Sequence, residues 1–188
     1  MNYDLFYEII NKNPIFAYMK TVREDSPYHR ESSVFEHTMM VCQEFDDRYS
    51  VLDDDYFVGL FACLFHDIGK PACRTPKESE SRGKYFTYEG HDMESSEQAV
   101  EIMARYHEFS PFNIIRIKWM IEHHSTFWTI KDNDKKVELA NDFRNAGLGL
   151  NYHCFKTFMI ADDMGRICED RTQDSNQIFK DFEEQYLH

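Results

Sequence analysis

Between Tyr56 and Phe65 the chain reads YFVGLFACLF, ten residues without a charge. A stretch apolar on every side predicts a helix buried at the centre of a fold rather than on its surface. Asp53 to Asp55 are placed to cap it, and its pattern carries to Ile68. Around it, apolar residues return every third or fourth position, the period of helices with one buried face. Short helices are predicted over Tyr3–Ile10 and Pro14–Val22, with Pro14 suited to a first helical position. Another begins near Ser33, an N-cap with Glu36 three residues on. Further helices are expected at about Asp92–Tyr106, Pro111–His124, Lys136–Ala146 and Tyr152–Cys168, and the last twenty residues read as a surface helix or frayed tail. The stretch REDSPYHRESS (23–33) is polar and turn-like. From Pro71 to Gly90 the helical period is lost, and KYFTY (84–88) predicts a strand or hairpin arm around Arg82-Gly83. The pattern describes an all-α fold with a short β-hairpin-like insertion near residues 71–90, in one domain over 1–188 with its core at about 14–168.

Several polar residues fall on the apolar faces. His37 lies on the stripe of Val34, Val41 and Phe45, and Asp162 follows Phe155, Phe158 and Met159 by one turn. In IIRIKWMIEHH, His124 falls seven residues after Ile117, while His123 falls three after Met120. His91 stands at the mouth of its helix, and His66-Asp67 end the apolar run. Taken singly, each has an ordinary reading. An inward His can donate to a backbone carbonyl, and a buried Asp can cap or form an ion pair. Gly69 can be a left-handed helix stop, with Lys70 complementing the helix dipole. Taken together they require a common partner, because several helices aim imidazoles and carboxylates into one core. A divalent cation satisfies all of them at once.

Composition narrows the setting. The 188 residues are 42% hydrophobic with only 7 Gly and 5 Pro, enough for a packed core without covalent staples. A net charge of −13 disfavours a broad nucleic-acid surface but leaves room for a small phosphorylated ligand at a local positive site. No apolar run approaches the roughly 20 residues of a membrane span. The N-terminus lacks the basic start and cleavage site of a secretory signal. Cys42, Cys63, Cys73, Cys154 and Cys168 are odd in number and form no CxxC pair, so they read as reduced thiols. A cytoplasmic protein is expected.

Five segments in order, YHRESSVFEHT (28–38), LFHDIGKP (64–71), YFTYEGHDMES (85–95), MIEHH (120–124) and ADDMGR (161–166), make the chain resemble the HD superfamily of metal-dependent phosphohydrolases. In detail it is most similar to the HD domain of bacterial tRNA nucleotidyltransferases (CCA-adding enzymes) and to related end-healing phosphatase modules. The resemblance implies an α-helical bundle holding a metal through His37, His66, Asp67 and Asp162. It implies that His91 and one of His123 or His124 face the substrate or complete a second metal bridged by Asp67. Both the MIEHH alignment and the apolar stripe favour His124. The chain has no nucleotidyltransferase domain and no P-loop, and it lacks the acidic pair and GYP motif of two nucleotide-signalling branches. A freestanding phosphohydrolase is the expectation.

Imidazole and carboxylate ligands without thiolate suit one or two Mn²⁺, Fe²⁺, Co²⁺, Ni²⁺ or Zn²⁺ ions better than Mg²⁺. Such an ion supplies an acidified water near neutral pH. Asp67, Lys70, His91 and His124 are the candidate catalytic residues, with Lys70, Arg74 and Arg166 expected to neutralise phosphate charge. Glu94 can orient a water or stabilise its own helix. Loop 71–90, with Arg74, Lys77, Arg82, Lys84, Tyr85 and Tyr88, is a candidate lid over a base. Expected substrates are phosphomonoesters or 2′,3′-cyclic phosphodiesters of nucleotides or short RNA ends. The alternatives are a dNTP or cyclic-nucleotide hydrolase, or a non-catalytic nucleotide sensor. Long nucleic acid is disfavoured as a partner.

Overall fold

The computed structural model describes residues 3–23, 31–80, 83–129, 133–145, 147–167 and 174–187. In chain order these form α1 (Tyr3–Lys12), α2 (Pro14–Met19), α3 (Val34–Arg48), α4 (Asp54–Phe65), α5 (Lys70–Cys73), β1 (Thr75–Ser79), β2 (Gly83–Thr87), α6 (His91–Met103), α7 (Pro111–Thr129), α8 (Asn133–Arg144), α9 (Tyr152–Met164) and α10 (Ser175–Phe182). A π-helical turn, Glu183–Leu187, follows. The uncharged run forms α4, and Tyr56, Val58 and every residue from Gly59 to Phe65 are buried. It packs against α3, α7 and α9, while α6 packs on α7. Phe16, Phe45, Phe61, Phe65, Phe155, Phe158 and Phe179 fill the centre. Truncating one such ring to Ala costs about 3–5 kcal/mol.

The caps follow the sequence. Ser33 Oγ accepts the Glu36 N–H at 3.2 Å and Asp53 Oδ1 accepts that of Tyr56 at 2.9 Å, each satisfying an orphan donor of a first turn. The insertion is a hairpin, with Thr75 facing Thr87 and Ser79 facing Gly83; Arg82 and the start of the 23–33 turn region (24–30) lie outside the described residues, as does Cys168.

Several boundaries differ from expectation, α2 and α6 ending three residues early at Met19 and Met103 and α8 starting three early at Asn133, and three of the differences bear on the site and the core. α4 stops at Phe65 rather than Ile68, because the chain tightens into turns, with Ile68 N–H donating to Phe65 O and Lys70 N–H to Asp67 O. α7 runs past His124 to Thr129, where Phe127 stacks on Phe179 with centroids 4.5 Å apart. α9 ends at Met164, and Gly165 N–H caps Ala161 O at 2.7 Å. Among the described residues no helix is long and apolar enough to cross a membrane.

Candidate metal centre

Two close approaches of the backbone bring the polar residues together. Gly69 is not a left-handed stop: its φ is −80°. It is needed for space, since a Cβ there would lie 2.5 Å from Ser95 N and 2.7 Å from His91 O. Its N–H donates to Ser95 Oγ at 2.8 Å, so the turn carrying Asp67 sits directly on the first turn of α6, which carries His91. At Gly165 a Cβ would lie 2.9 Å from Val41 N. The end of α9 therefore reaches α3, and Gly165 O accepts the His37 Nδ1–H at 3.3 Å.

His37, His66 and Asp162 form one group and Asp67, His91 and His124 a second. His37 Nε2 lies 3.4 Å from His66 Nε2 and 3.2 Å from Asp162 Oδ1, and His66 Nε2 lies 3.7 Å from that oxygen. In the second group His91 Nε2 is 3.2 Å from His124 Nε2 and 3.3 Å from Asp67 Oδ1. Asp67 joins the groups, its Oδ2 being 3.1 Å from His66 Nε2 and 3.5 Å from His37 Nε2. All but His91 are almost wholly buried.

The backbone decides the tautomers. His66 Nδ1 meets Cys63 O at 2.8 Å, His91 Nδ1 meets Tyr88 O at 2.8 Å and His124 Nδ1 meets Ile121 O at 2.6 Å. A carbonyl can only accept, so each of these Nδ1 atoms, like that of His37, carries a proton. In its neutral form each ring turns an Nε2 lone pair toward the other Nε2 of its group; on His37 that atom also faces Asp162 Oδ1, to which it donates while it carries a second proton. Both oxygens of buried Asp67 lack a well-directed hydrogen bond, although Lys70 Nζ stands 2.8 Å from Oδ2. Two ligand atoms on a tetrahedral ion with bonds of about 2.0–2.1 Å lie about 3.4 Å apart, which matches these spacings. The donor set fits divalent metal.

Protonation differs sharply within the cluster. Burial alone would push His37 down, but hydrogen bonds to the Asp162 and Glu31 carboxylates outweigh it and raise its pKa to about 9. Burial, reinforced by His91 and His66, pushes His124 down to about 3. Burial opposes ionisation of Asp67, yet His66 and Lys70 hold it well below the usual carboxylate range. Asp162 is held low against its burial by Arg166 and His37.

A cleft of about 530 Å³ opens above the cluster, walled by Phe86, Tyr88 and Asp92 and reached by Lys70 and Arg166. Arg166 Nη2 donates to Asp162 Oδ2 at 2.8 Å. Three candidates stand elsewhere: Arg74 against expectation, and His123 and Glu94 in line with the favoured His124 and with a role for Glu94 on its own helix. The His123 ring stacks on Trp119 at 4.2 Å and its Nδ1 donates to Trp119 O, one residue too early on α7 to turn inward. The Arg74 guanidinium lies 3.5 Å from the Phe86 ring centroid and does not line the cleft. Glu94 accepts from Gln98 Nε2 at 2.6 Å on its own helix.

Two contributors escaped the sequence reading. Glu31, 3% exposed, accepts the Ile167 N–H at 2.7 Å and lies 3.8 Å from His37 Nδ1. Asp92 accepts from Ser125 Oγ at 2.8 Å, tying α6 to α7 beside the cleft. Nothing local in the sequence marks either Glu31 or the Asp92–Ser125 pair.

A family model described as the HD domain matches residues 34–152. Comparison with curated proteins and with solved structures gives no match.

Proposed function

The chain belongs to the HD domain family, whose members are generally metal-dependent phosphohydrolases, and on that premise we propose that it hydrolyses phosphomonoesters or 2′,3′-cyclic phosphodiesters of nucleotides or short RNA ends. The observation that carries the reading is the set of four Nδ1-anchored imidazoles. They turn Nε2 atoms toward one another around Asp67 and Asp162 at the floor of an open cleft. A closed structural site has no use for that opening.

His37, His66, Asp162 and Asp67 Oδ2 would hold one ion, and His91, His124 and Asp67 Oδ1 a second, with Mn²⁺, Fe²⁺, Co²⁺, Ni²⁺ or Zn²⁺ preferred over Mg²⁺ for so nitrogen-rich a set. When bound, such ions supply Lewis acidity and a water acidic enough to act as nucleophile near pH 7. Lys70 and Arg166 orient the phosphate from the side of the cleft and offset its developing charge. Both cations are already engaged with carboxylates, Asp67 and Asp162, and Asp92 adds a further negative group. Among the described residues the lining thus has no surplus of fixed positive charge for a polyphosphate. This favours substrates with one phosphate over dNTPs. The resemblance read in the five sequence motifs to the HD modules of CCA-adding enzymes agrees with this choice.

The deciding experiment compares wild type with Asp67→Ala for bound metal and for turnover of 2′,3′-cyclic AMP, 2′-AMP, 3′-AMP, 5′-AMP and dNTPs, with Mn²⁺, Co²⁺, Ni²⁺ or Mg²⁺ added. Metal and monophosphate hydrolysis that are both lost in the variant support the proposal. A folded wild type that takes up metal and cleaves none of the panel refutes it and leaves a nucleotide-binding sensor.

A further inference from the structure

The aromatic residues on the cleft wall are not explained by phosphate chemistry. Phe86 and Tyr88 are two positions apart along β2 and its exit, so both fall on one face of the hairpin, and both line the cleft. Tyr88 packs partly on the hydrophobic core, but Phe86 does not belong to it. Its ring instead carries the Arg74 guanidinium at 3.5 Å and faces Pro76 across the ladder. Tyr88 is held as well, its hydroxyl donating to Arg23 O at 3.1 Å and its ring 5.6 Å from Lys70 Nζ. Both rings are therefore fixed before any ligand arrives, which lowers the ordering cost of binding. A large ring at the edge of a charged cleft, outside the core, leaves apolar surface against water that a flat π-surface would cover.

We propose that Phe86, supported by Arg74 and flanked by Tyr88, forms a subsite for the base of a mononucleotide, so that substrate is selected by its base as well as by its phosphate. The proposal rests on the phosphohydrolase reading of the cleft and deepens it. The cleft volume, about 530 Å³, falls within the range of about 300–1,000 Å³ typical of sites for one small ligand. Phe86 is a specificity-determining residue. Arg74, which reaches the ligand only through that ring, is a positioning residue.

The clean comparison is 5′-AMP against ribose 5-phosphate, which present the same reacting group with and without a base. Wild type should show a KM for 5′-AMP about tenfold below that for ribose 5-phosphate, the size of a base–aromatic stack. Phe86→Leu keeps apolar bulk without a π-face and should erase the difference; Phe86→Trp should restore it. A thermal melt on each variant establishes that it is folded. Saturation-transfer NMR with adenosine supplies a readout that needs neither metal nor turnover, and its signal should fall in Phe86→Leu and return in Phe86→Trp. Equal KM values in wild type, or a preference untouched by Phe86→Leu, overturn the subsite while leaving the hydrolase standing. Adenosine binding that depends on Phe86 in a protein that cleaves nothing supports the subsite and sinks the hydrolase. A Phe86-dependent preference for a short RNA end over 5′-AMP overturns the mononucleotide assignment.

Discussion

Helices α4 and α7 meet in two polar clusters of opposite character, one built on the buried Arg116 and Asn113 and the other on buried His and Asp. At its first turn α4 offers Asp54 and Asp55 to Arg116 of α7, with Asn113 donating to Asp54 at 3.0 Å and Asn151 donating to Asp55. Twelve residues after Asp54, about 18 Å along a helix, the same chain presents His66 and Asp67 to His124. In the first cluster donors meet acceptors: both Nη atoms of Arg116 reach a carboxylate, and only its Nε lacks a partner among the described residues. In the second, Lys70 and Arg166 donate from the rim and His37 can carry one extra proton, but the inward-turned Nε2 atoms and the oxygens of Asp67 outnumber the donors that reach them. Buried polarity by itself therefore marks nothing. What separates a cluster that holds helices together from one that awaits an ion is the balance of donors and lone pairs within it.

The largest effects should break this comparison from both sides. Asp67→Ala should cut phosphohydrolase activity by a factor of more than about 10³, taking with it one carboxylate shared by both metal positions; circular dichroism should show the fold retained. Arg116→Ala should do the reverse. It leaves the part-buried Asp55 and the exposed Asp54 without their cation and removes a buried guanidinium stem, and should destabilise by about 1–3 kcal/mol in urea unfolding, with bound metal per folded protein unchanged. An Arg116 variant as stable as wild type would remove the distinction.

A smaller effect concerns the proton that the metal must displace. In the metal-free protein His37 is raised to about 9, so it is charged at neutral pH. Its stabilising contribution is complete below its ordinary value near 6.5 and is lost as pH rises through about 9. Metal competes with that proton, so affinity should climb about tenfold per pH unit between 7 and 8 and level off above 9. Calorimetric titration with Mn²⁺ in buffers of different ionisation enthalpy should register the released proton. Uptake that liberates none would remove His37 from the ligand set. Correspondingly, saturating Mn²⁺ should raise the melting temperature of wild type and raise that of His66→Ala by clearly less, the share of the position held by His91 and His124. The smallest effect separates adjacent histidines: His123→Ala should keep metal and turnover and lose only its stack on Trp119, about 1 kcal/mol by thermal melt.

Much of this was legible in the sequence, for reasons that also explain what was not. The uncharged run from Tyr56 to Phe65 announced α4, and the periodicity around Val34 and Phe158 placed His37 and Asp162 on inward faces, because helical spacing converts directly into direction. His123 and His124 differ by a single residue, a rotation that spacing resolves only weakly; the Trp119 stack that claims His123 is a tertiary matter. Arg74 read as a phosphate ligand from its charge. Its actual place depends on the hairpin bringing Phe86 beside it, which no local pattern encodes. Gly69 looked like a helix stop, whereas its role is the contact with α6, a partner more than twenty residues away. Glu31 was missed for the same reason, since its partner Ile167 lies just past the end of α9.

The four imidazoles lean on main-chain oxygens, those of Gly165, Cys63, Tyr88 and Ile121. Unlike a supporting side chain, a carbonyl cannot be deleted by a point substitution. Cys63 and Ile121 are constrained by the core and Tyr88 by the cleft, but the support each gives its ring does not depend on its side chain. The orientation of the rings is thus inherited with the path of the chain, and the supports open to mutational tuning are carried by side chains, Glu31 beside His37 and Arg166 behind Asp162.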